Sequence, residues 1–279
     1  MSLLFTHYLI TRYNVPLEGW ETDKSGGSTR DTAWLVHRME LFKNYCLPSI
    51  IAQTEQNFLW LIYCDEATPI PILEILQKSI GTIKNATVRL TSGYHACILD
   101  IDYLLAQSNT PYVITSRVDN DDSLGIHYIK TVQRHFIPQN GVILNLLHGH
   151  GYNVSKRIGT KLYNIRNNHF SSLIEKTRSE GGHISIRGFQ HDNPPAEFII
   201  QNIQNDNSWL KVFHERNLKS NPFGYPVFRN KFFEWYGLKN KNITLSVLNT
   251  FQYSIGWLLT GIYRKIKKLL HNNAGPKRY

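Results

Sequence analysis

The chain has 279 residues and a formal net charge of +10, and its hydrophobic content of 42% is enough to bury one large core or two modest ones. Eight of the ten net positive charges follow Glu234, the last acidic residue, which argues against a domain that binds nucleic acid through a uniformly basic surface. Three cysteines without C-x-x-C spacing fit a reducing compartment. The first residues lack a signal-peptide leader, so we expect a cytoplasmic protein.

Apolar runs and helical periodicities alternate along the first half of the chain. The sequence predicts strands at residues 5–13, 58–64, 86–90, 112–118 and 142–147, and helices at residues 33–45, 69–80, 96–106 and 123–136. This alternation predicts an α/β fold, Rossmann-like, with a mostly parallel sheet and helices on both faces. After Gly149 the elements become short, so we expect a nucleotide-binding half at 1–148, an irregular half of the same domain at 149–234, and a basic helical tail at 235–279.

Three carboxylates close the predicted strand at 112–118, namely Asp119, Asp121 and Asp122. Carboxylates this close repel one another unless a cation lies among them, and Mg²⁺ or Mn²⁺ suits one or two such ligands together with phosphate oxygens. Open α/β sheets bind nucleotides and phosphates at the carboxyl ends of their strands. The simpler alternative is a solvated acidic turn that leads into the helix predicted from Ser123.

Two other interpretations of the same run are weaker. A calcium-binding EF-hand loop that starts at Asp119 needs Gly at its sixth position and Glu at its twelfth, where this chain has Leu124 and Lys130. A phosphatase with an aspartyl nucleophile would also follow an apolar strand, but nothing downstream clearly supplies its lysine and its second acidic group. The divalent-cation site and the solvated acidic turn therefore remain as the two interpretations of this run.

Several motifs together resemble the putative rhamnosyltransferase family of bacterial GT-A-fold glycosyltransferases, over roughly residues 5–220. The motifs are Thr11-Arg12-Tyr13-Asn14, Leu47-Pro48-Ser49-Ile50-Ile51-Ala52-Gln53-Thr54, Asn57-Phe58 with Trp60 and Asp65, Ser116-Arg117-Val118-Asp119-Asn120-Asp121-Asp122, Phe170-Ser171-Ser172-Leu173-Ile174-Glu175, and Trp209-Leu210-Lys211-Val212-Phe213-His214 with Asn217. The resemblance implies transfer of a sugar, rhamnose by the family name, from a nucleotide-diphosphate donor to a glycan or lipid-linked acceptor, with inversion.

The resemblance also implies a Mn²⁺ or Mg²⁺ cofactor on the donor diphosphate. It assigns Asp119 to the ribose or the metal, Asp121 to the metal, and Asp122 to a supporting or competing ligand. His214 would complete the metal shell, although a lone histidine is also a common structural group. Metal binding thus depends on the three carboxylates and one later histidine.

Further donor contacts are expected from residues at strand ends. Thr11, Arg12 and Asp65 would lie near the base and ribose, and the alternative for Arg12 and Asp65 is a surface ion pair. Arg117 shares a strand face with Asp119, since side chains repeat every second residue, and would either contact the diphosphate or neutralise the carboxylates.

Inverting transfer requires a carboxylate that deprotonates the acceptor hydroxyl. Glu175 is preferred, because it lies in one of the family-like motifs, and Asp192 comes second. Glu180 and Glu197 are further candidates in the same half.

The basic tail predicts a helix from Trp257 with apolar residues on one face and Arg264, Lys265, Lys267 and Lys268 on the other. Such a helix could lie on an anionic membrane, giving a peripheral contact with its inner face, or dock on the core. The competing functional class is a non-catalytic module that binds nucleic acid or an acidic polymer through this tail. The glycosyltransferase interpretation needs no nucleic acid.

Overall fold

The computed structural model describes residues 4–19, 22, 28, 31–216, 223–240 and 242–273, with side chains described up to residue 263. The strands are β1 (Phe5–Arg12), β2 (Leu59–Asp65), β3 (Ala86–Thr91), β4 (Tyr112–Arg117), β5 (Ser123–Leu124), β6 (Val142–Leu146), β7 (Gly149–Asn153), β8 (Ile158–Leu162), β9 (Ser172–Lys176), β10 (Ile199–Ile203), β11 (Trp209–Phe213) and β12 (Tyr225–Val227). The helices are α1 (Thr32–Leu41), α2 (Leu47–Ile51), α3 (Ile70–Ile80), α4 (Tyr94–Ala106), α5 (Tyr128–Arg134) and α6 (Val247–Asn273), with a π-helical turn at Phe42–Cys46 and a 3₁₀ helix at Asn230–Tyr236.

The main sheet has seven strands in the order β10-β6-β9-β4-β1-β2-β3. All its pairings are parallel except those of β9, which runs antiparallel to both β4 and β6. Central strands such as β4 are almost entirely buried, as expected when helices cover both faces of a parallel sheet. The predicted α/β class with a mostly parallel sheet is confirmed.

Helices cover the main sheet on both faces. Leu9 of β1 packs in the larger core with Leu35 of α1, Leu76 of α3 and Ile129 of α5. Ile10, the next residue, faces the other way and packs in a second core with residues of α4. This alternation follows from the two-residue period of a strand, and it confirms the predicted helices on both faces.

The second half is more regular than the sequence predicts. Strands β7, β8, β11 and β12 form a second sheet with β5, in the order β12-β8-β7-β11-β5, while β9 and β10 enter the main sheet. The chain therefore crosses between both sheets after residue 149, and the boundaries at 148 and 234 stay predictions. These strands are at most five residues long and alternate weakly, so local periodicity does not reveal them.

Helix boundaries differ from prediction at two places. The helix predicted at 123–136 is only α5, because Ser123 and Leu124 pair with β11 instead. The helix predicted at 33–45 continues through the π-helical turn directly into α2, which contains Pro48.

The terminal helix α6 begins ten residues before Trp257, the predicted start. Thr250 is buried, and the Tyr253 hydroxyl donates to the carbonyl of Gly224 at 3.0 Å. Among the described residues, no helix has the length and apolar content needed to cross a bilayer.

We expect Gly149→Ala to destabilise the fold by about 1–3 kcal/mol, the usual cost of overpacking. A Cβ at this position in β7 would overlap the indole ring and the carbonyl oxygen of Trp209. That ring is fixed, because it stacks on Phe170 at 4.9 Å and donates to the carbonyl of Leu146 at 2.8 Å. Chemical denaturation measures the loss.

The matched control is Gly256→Ala, because a Cβ at Gly256 meets no atom within 4 Å. Alanine is the better helix former, so this variant should gain up to about 1 kcal/mol. Equal stability of the two variants would refute the packing argument.

Candidate active site

The acidic turn (residues 118–122) follows β4 at the carboxyl edge of the main sheet, between the ends of β1 and β9. The Asp122 amide donates to the Asp119 carbonyl at 3.1 Å, which closes the turn. Asn120 fixes it further, since its side-chain amide donates to the carbonyl of Tyr13 at 2.7 Å and its oxygen accepts from Arg38. The three carboxylates consequently meet three different sets of partners.

Asp119 is the most open of the three carboxylates, with 31% of its side chain exposed. Its Oδ1 accepts from Nη1 of Arg187 at 3.0 Å. Burial alone would raise the pKa of Asp119, but the guanidinium groups of Arg187 and Arg12 hold that pKa well below its usual range. Asp119 is therefore an anion that still offers an oxygen to a ligand.

Asp121 is buried in an ion-pair group with Arg38 and His214. Its Oδ2 accepts from Nη1 of Arg38 at 2.8 Å and lies 3.0 Å from Nε2 of His214. Burial raises the pKa of Asp121, but Arg38 and the hydrogen bond to His214 outweigh it and lower that pKa. The structure thus joins the two predicted ligands Asp121 and His214, but it pairs them with Arg38.

Asp122 has no exposed surface and uses both of its oxygens. Oδ1 accepts from the Val212 amide at 2.9 Å, and Oδ2 lies 2.8 Å from Nζ of Lys211 and 3.2 Å from Nε2 of His169. Burial disfavours the charged ammonium, but the nearby carboxylates raise the pKa of Lys211. Through its contacts with Lys211 and Val212, Asp122 therefore links the acidic turn to β11 of the second sheet.

One group of side chains could hold a cation. Asp119, Asp122 and His169 each offer a ligand atom, and these atoms all lie within 4.8 Å of one another. Carboxylate oxygens suit Mg²⁺ and Mn²⁺, and an imidazole suits Mn²⁺ better than Mg²⁺. The residues fit a divalent ion if the ion replaces Lys211 on Asp122. This group differs from the expected ligand set, which has Asp121 and His214 in place of His169 and stays a prediction.

Basic side chains outnumber the carboxylates around the acidic turn. Arg12, Arg38, Arg117, Arg187 and Lys211 exceed the three aspartates by two charges. Arg12, at the end of β1, has its guanidinium 5.5 Å from the centre of the Tyr94 ring, and its Nε has no hydrogen-bond partner among the described residues. The edge of the sheet therefore carries excess positive charge, and we call this group of basic side chains and carboxylates the cationic cleft.

Arg117 is buried and turned towards the second half of the chain. Its Nε donates to the His169 carbonyl at 2.8 Å and its Nη1 to the Ile186 carbonyl at 3.2 Å. Burial and the neighbouring Arg187 lower its pKa to about 10. These contacts favour the role of neutralising the carboxylates over direct contact with a ligand.

Two residues expected to contact the nucleotide, Thr11 and Asp65, lie in different surroundings. Thr11 lies at the end of β1 as expected, but it is fully buried and its hydroxyl accepts from the indole of Trp60 at 2.9 Å, which argues against direct contact with the nucleotide. Asp65 ends β2, beside Arg12's strand, and its Oδ1 accepts from the Ala67 amide at 3.0 Å. Asp65 lies at the expected edge and is not paired with Arg12.

The structure separates Glu175 from the acidic turn. Glu175 pairs with Val113, four residues before Arg117 in β4, which is about 13 Å along the strand. It is 1% exposed, both carboxylate oxygens accept from backbone amides, and burial raises its pKa despite those bonds. This placement argues against Glu175 as the base, because an acceptor hydroxyl does not reach a carboxylate that is buried in this way.

Asp192 is exposed and follows His191, whose ring centre lies 5.7 Å from that of His169. The second choice for the base is therefore an exposed carboxylate next in sequence to a histidine that lies beside the cation group. Sequence reasoning missed His169, Arg38 and Arg187. His169 directly precedes a family-like motif and could have been found there, whereas isolated arginines give no signal.

Residues 9–224 match the model of a family described as putative rhamnosyl transferase. No curated protein matches the chain. Among solved structures, S. aureus TarS 1-349 has a TM-score of 0.41 at 12% identity over 74% of this chain, and the chain covers 60% of that protein's length. Its complex with UDP-GlcNAc has a TM-score of 0.42 at 12% identity, over 75% of this chain and 59% of that one.

HddC from Yersinia pseudotuberculosis has a TM-score of 0.35 at 9% identity, over 74% of this chain and 89% of that chain. These distant likenesses carry no argument about activity. The family match is different in kind, since it spans well over half of the sequence and includes the second half of β1, all of β4 and the acidic turn. The chain belongs to the putative rhamnosyl transferase family.

Proposed function

We propose that the protein is a glycosyltransferase that moves a sugar from a nucleotide-diphosphate donor to a glycan or lipid-linked acceptor, with inversion. Rhamnose is the sugar that the family description names. The observation that carries the proposal is the cationic cleft at the carboxyl ends of β1 and β4, where nucleotide phosphates bind in open α/β sheets. The competing class, a non-catalytic module for nucleic acid or acidic polymer, would bind through the basic tail and would not depend on the carboxylates of the acidic turn.

In the proposed donor complex, Arg12 and Arg187 bind the diphosphate. Nε of Arg12 and Nε of Arg187 have no hydrogen-bond partner among the described residues, and Arg187 also lies beside the acidic turn through its contact with Asp119. Guanidinium groups suit phosphate because their N–H groups match its oxygens in pairs. Asp65, at the end of the neighbouring strand, is the proposed contact for the ribose.

A Mn²⁺ or Mg²⁺ ion would be held by Asp119, with Asp122 and His169 completing the protein ligands. When bound, the ion would neutralise charge on the departing diphosphate. Asp121 and His214 would support the site by fixing Arg38 beside the turn.

Asp192 is the proposed general base. It would take the proton of the acceptor hydroxyl as that oxygen attacks the anomeric carbon, while the bond from this carbon to the diphosphate oxygen breaks. An exposed carboxylate next in sequence to a histidine beside the cation group can reach an acceptor, which a buried one cannot. Attack from the face opposite the diphosphate inverts the anomeric centre.

The exposed apolar side chains of α6 suggest that this helix contacts a membrane, where a lipid-linked acceptor would lie. Val247, Leu248, Phe251, Leu258 and Leu259 of this helix are more than half exposed. Since Trp257 packs on Tyr225 at 5.0 Å, the helix is attached by one side and leaves an apolar face uncovered. Eight positive and no negative side chains follow Glu234, which complements an anionic lipid surface. We propose a peripheral position on the inner face of the membrane. The three unpaired buried cysteines support this side, because free thiols are typical of the reducing cytoplasm.

The donor site is tested by thermal shift with UDP, GDP and dTDP, each with and without Mn²⁺. One nucleotide should raise the melting temperature, since a ligand at 100 times its Kd stabilises by about 2.7 kcal/mol. Asp119→Asn should lose the part of the shift that depends on Mn²⁺, because it weakens the most open cation ligand.

The control is Asp206→Asn, an exposed carboxylate whose side chain pairs with Lys161 at 3.6 Å. It should keep the full shift. Absence of any shift with the wild-type protein would overturn the proposed donor class, and an unchanged Mn²⁺ response in Asp119→Asn would overturn the cation assignment.

Asp192→Asn should lower kcat for transfer by at least ~10²-fold, the scale for loss of a general base, while the donor Kd stays within about twofold. Glu197→Gln, another exposed carboxylate of the same segment, is the control and should keep its kcat. Full turnover in Asp192→Asn would rule out its role as base.

The membrane contact is tested by co-sedimentation with anionic and neutral vesicles. Leu258→Glu should weaken binding to anionic vesicles by about tenfold, because it places a charge on the apolar face. Leu99→Glu on α4 is the control, since Leu99 is 56% exposed and Leu258 is 54% exposed. Equal binding by both variants would contradict the proposed surface, and binding to duplex DNA instead would favour the competing class.

A further inference from the structure

The segment between β9 and β10 brings Arg187 to the cleft. Nη1 of Arg187 donates to Asp119 at 3.0 Å, and Nη2 donates to the carbonyls of Ile10 and Val118, both at 3.1 Å. The Tyr94 hydroxyl donates to the Arg187 carbonyl. Arg187 thus bridges the ends of β1 and β4, although the segment that carries it, residues 177–198, contains no helix or strand.

Side chains replace secondary structure as the support of this segment. The amides of Gly182 and His183 donate to Asp102 of α4, at 2.9 and 2.8 Å. The next two amides, of Ile184 and Ser185, donate to Oε1 and Oε2 of Glu175, at 2.8 and 2.9 Å.

The amide of Ile186 is also bound by a side chain, since it donates to the Thr115 hydroxyl at 2.9 Å. Five consecutive backbone N–H groups, from Gly182 to Ile186, are therefore bound by three side chains of the surrounding scaffold. We call residues 182–186 the clamped loop. Buried N–H groups need partners, so the conformation of this loop depends on those three side chains.

We propose that Glu175 and Asp102 are positioning residues, which hold the clamped loop so that Arg187 meets the donor diphosphate. This inference rests on the proposed function. Glu175 occupies the central place, because each of its two oxygens binds one amide just ahead of Arg187. Its buried carboxylate would then affect donor affinity through Arg187, with no proton transfer of its own.

Glu175→Gln keeps the size of the side chain but turns one acceptor into an N–H₂ group that faces a backbone N–H. We expect the Kd for the nucleotide diphosphate, and for pyrophosphate as a probe of the phosphates alone, to rise about tenfold. Amide hydrogen exchange at residues 182–186 should accelerate in the same variant. A general base would instead show a lower kcat with an unchanged Kd.

Two comparisons separate positioning from a general loss of structure. Glu180→Gln makes the same change in an exposed side chain of the same segment and should leave both readouts unchanged. Arg187→Lys should weaken pyrophosphate binding, and adding Glu175→Gln to it should weaken binding no further, because both act through one guanidinium.

Asp102→Asn provides an independent variant should Glu175→Gln fail to fold, since Asp102 is partly exposed on α4. It should likewise raise the Kd and the exchange rates. Folded Glu175→Gln or Asp102→Asn protein with wild-type Kd would overturn the inference while leaving the proposed function intact. Failure of the wild-type protein to bind any diphosphate would overturn the proposed function, and this inference with it.

Discussion

The compensation of three clustered carboxylates by five basic side chains is the interaction on which the rest of the structure depends. Asp122 has no exposed surface and Asp121 very little, so each would be costly without its partner. Removing one member of a buried ion pair typically costs about 3–5 kcal/mol. The acidic turn can therefore exist only where other parts of the fold deliver cations to it.

Those cations come from parts of the chain that are distant in sequence. Arg38 comes from α1, Lys211 from β11, and Arg187 from the segment between β9 and β10. The same contacts that stabilise the turn consequently join both sheets. They also leave the edge with excess positive charge and fixed donors, and a polar site that is already oriented does not have to reorganise when a charged ligand arrives.

The second sheet separates the two surfaces to which we assign ligands. Strand β11 touches the acidic turn through Asp122, whereas α6 packs near β12 at the other end of the order β12-β8-β7-β11-β5. Three strand spacings correspond to about 14 Å. A membrane held by α6 would thus lie at a fixed, short distance from the cleft, which suits an acceptor anchored in lipid.

The sequence by itself determined the β/α alternation, the strand that ends in the acidic turn, and the family, because these depend on local periodicity and on contiguous motifs. It also placed Arg12 and Asp65 correctly at neighbouring strand ends. The strands after residue 149 were missed, since they are short and alternate weakly, and β9, β10 and β11 pair with strands that are distant in sequence.

Only the tertiary structure decided what each polar group does. Thr11 and Glu175 carry functional groups suited to a ligand. However, the Thr11 hydroxyl already accepts from the Trp60 indole, and the Glu175 carboxylate already accepts from two backbone amides. Asp121 and Asp122 are adjacent in sequence, yet Arg38 donates to the Asp121 carboxylate whereas His169 lies beside the Asp122 carboxylate. Charge and spacing can be read from a sequence, whereas the partner that satisfies a buried group is chosen by the fold.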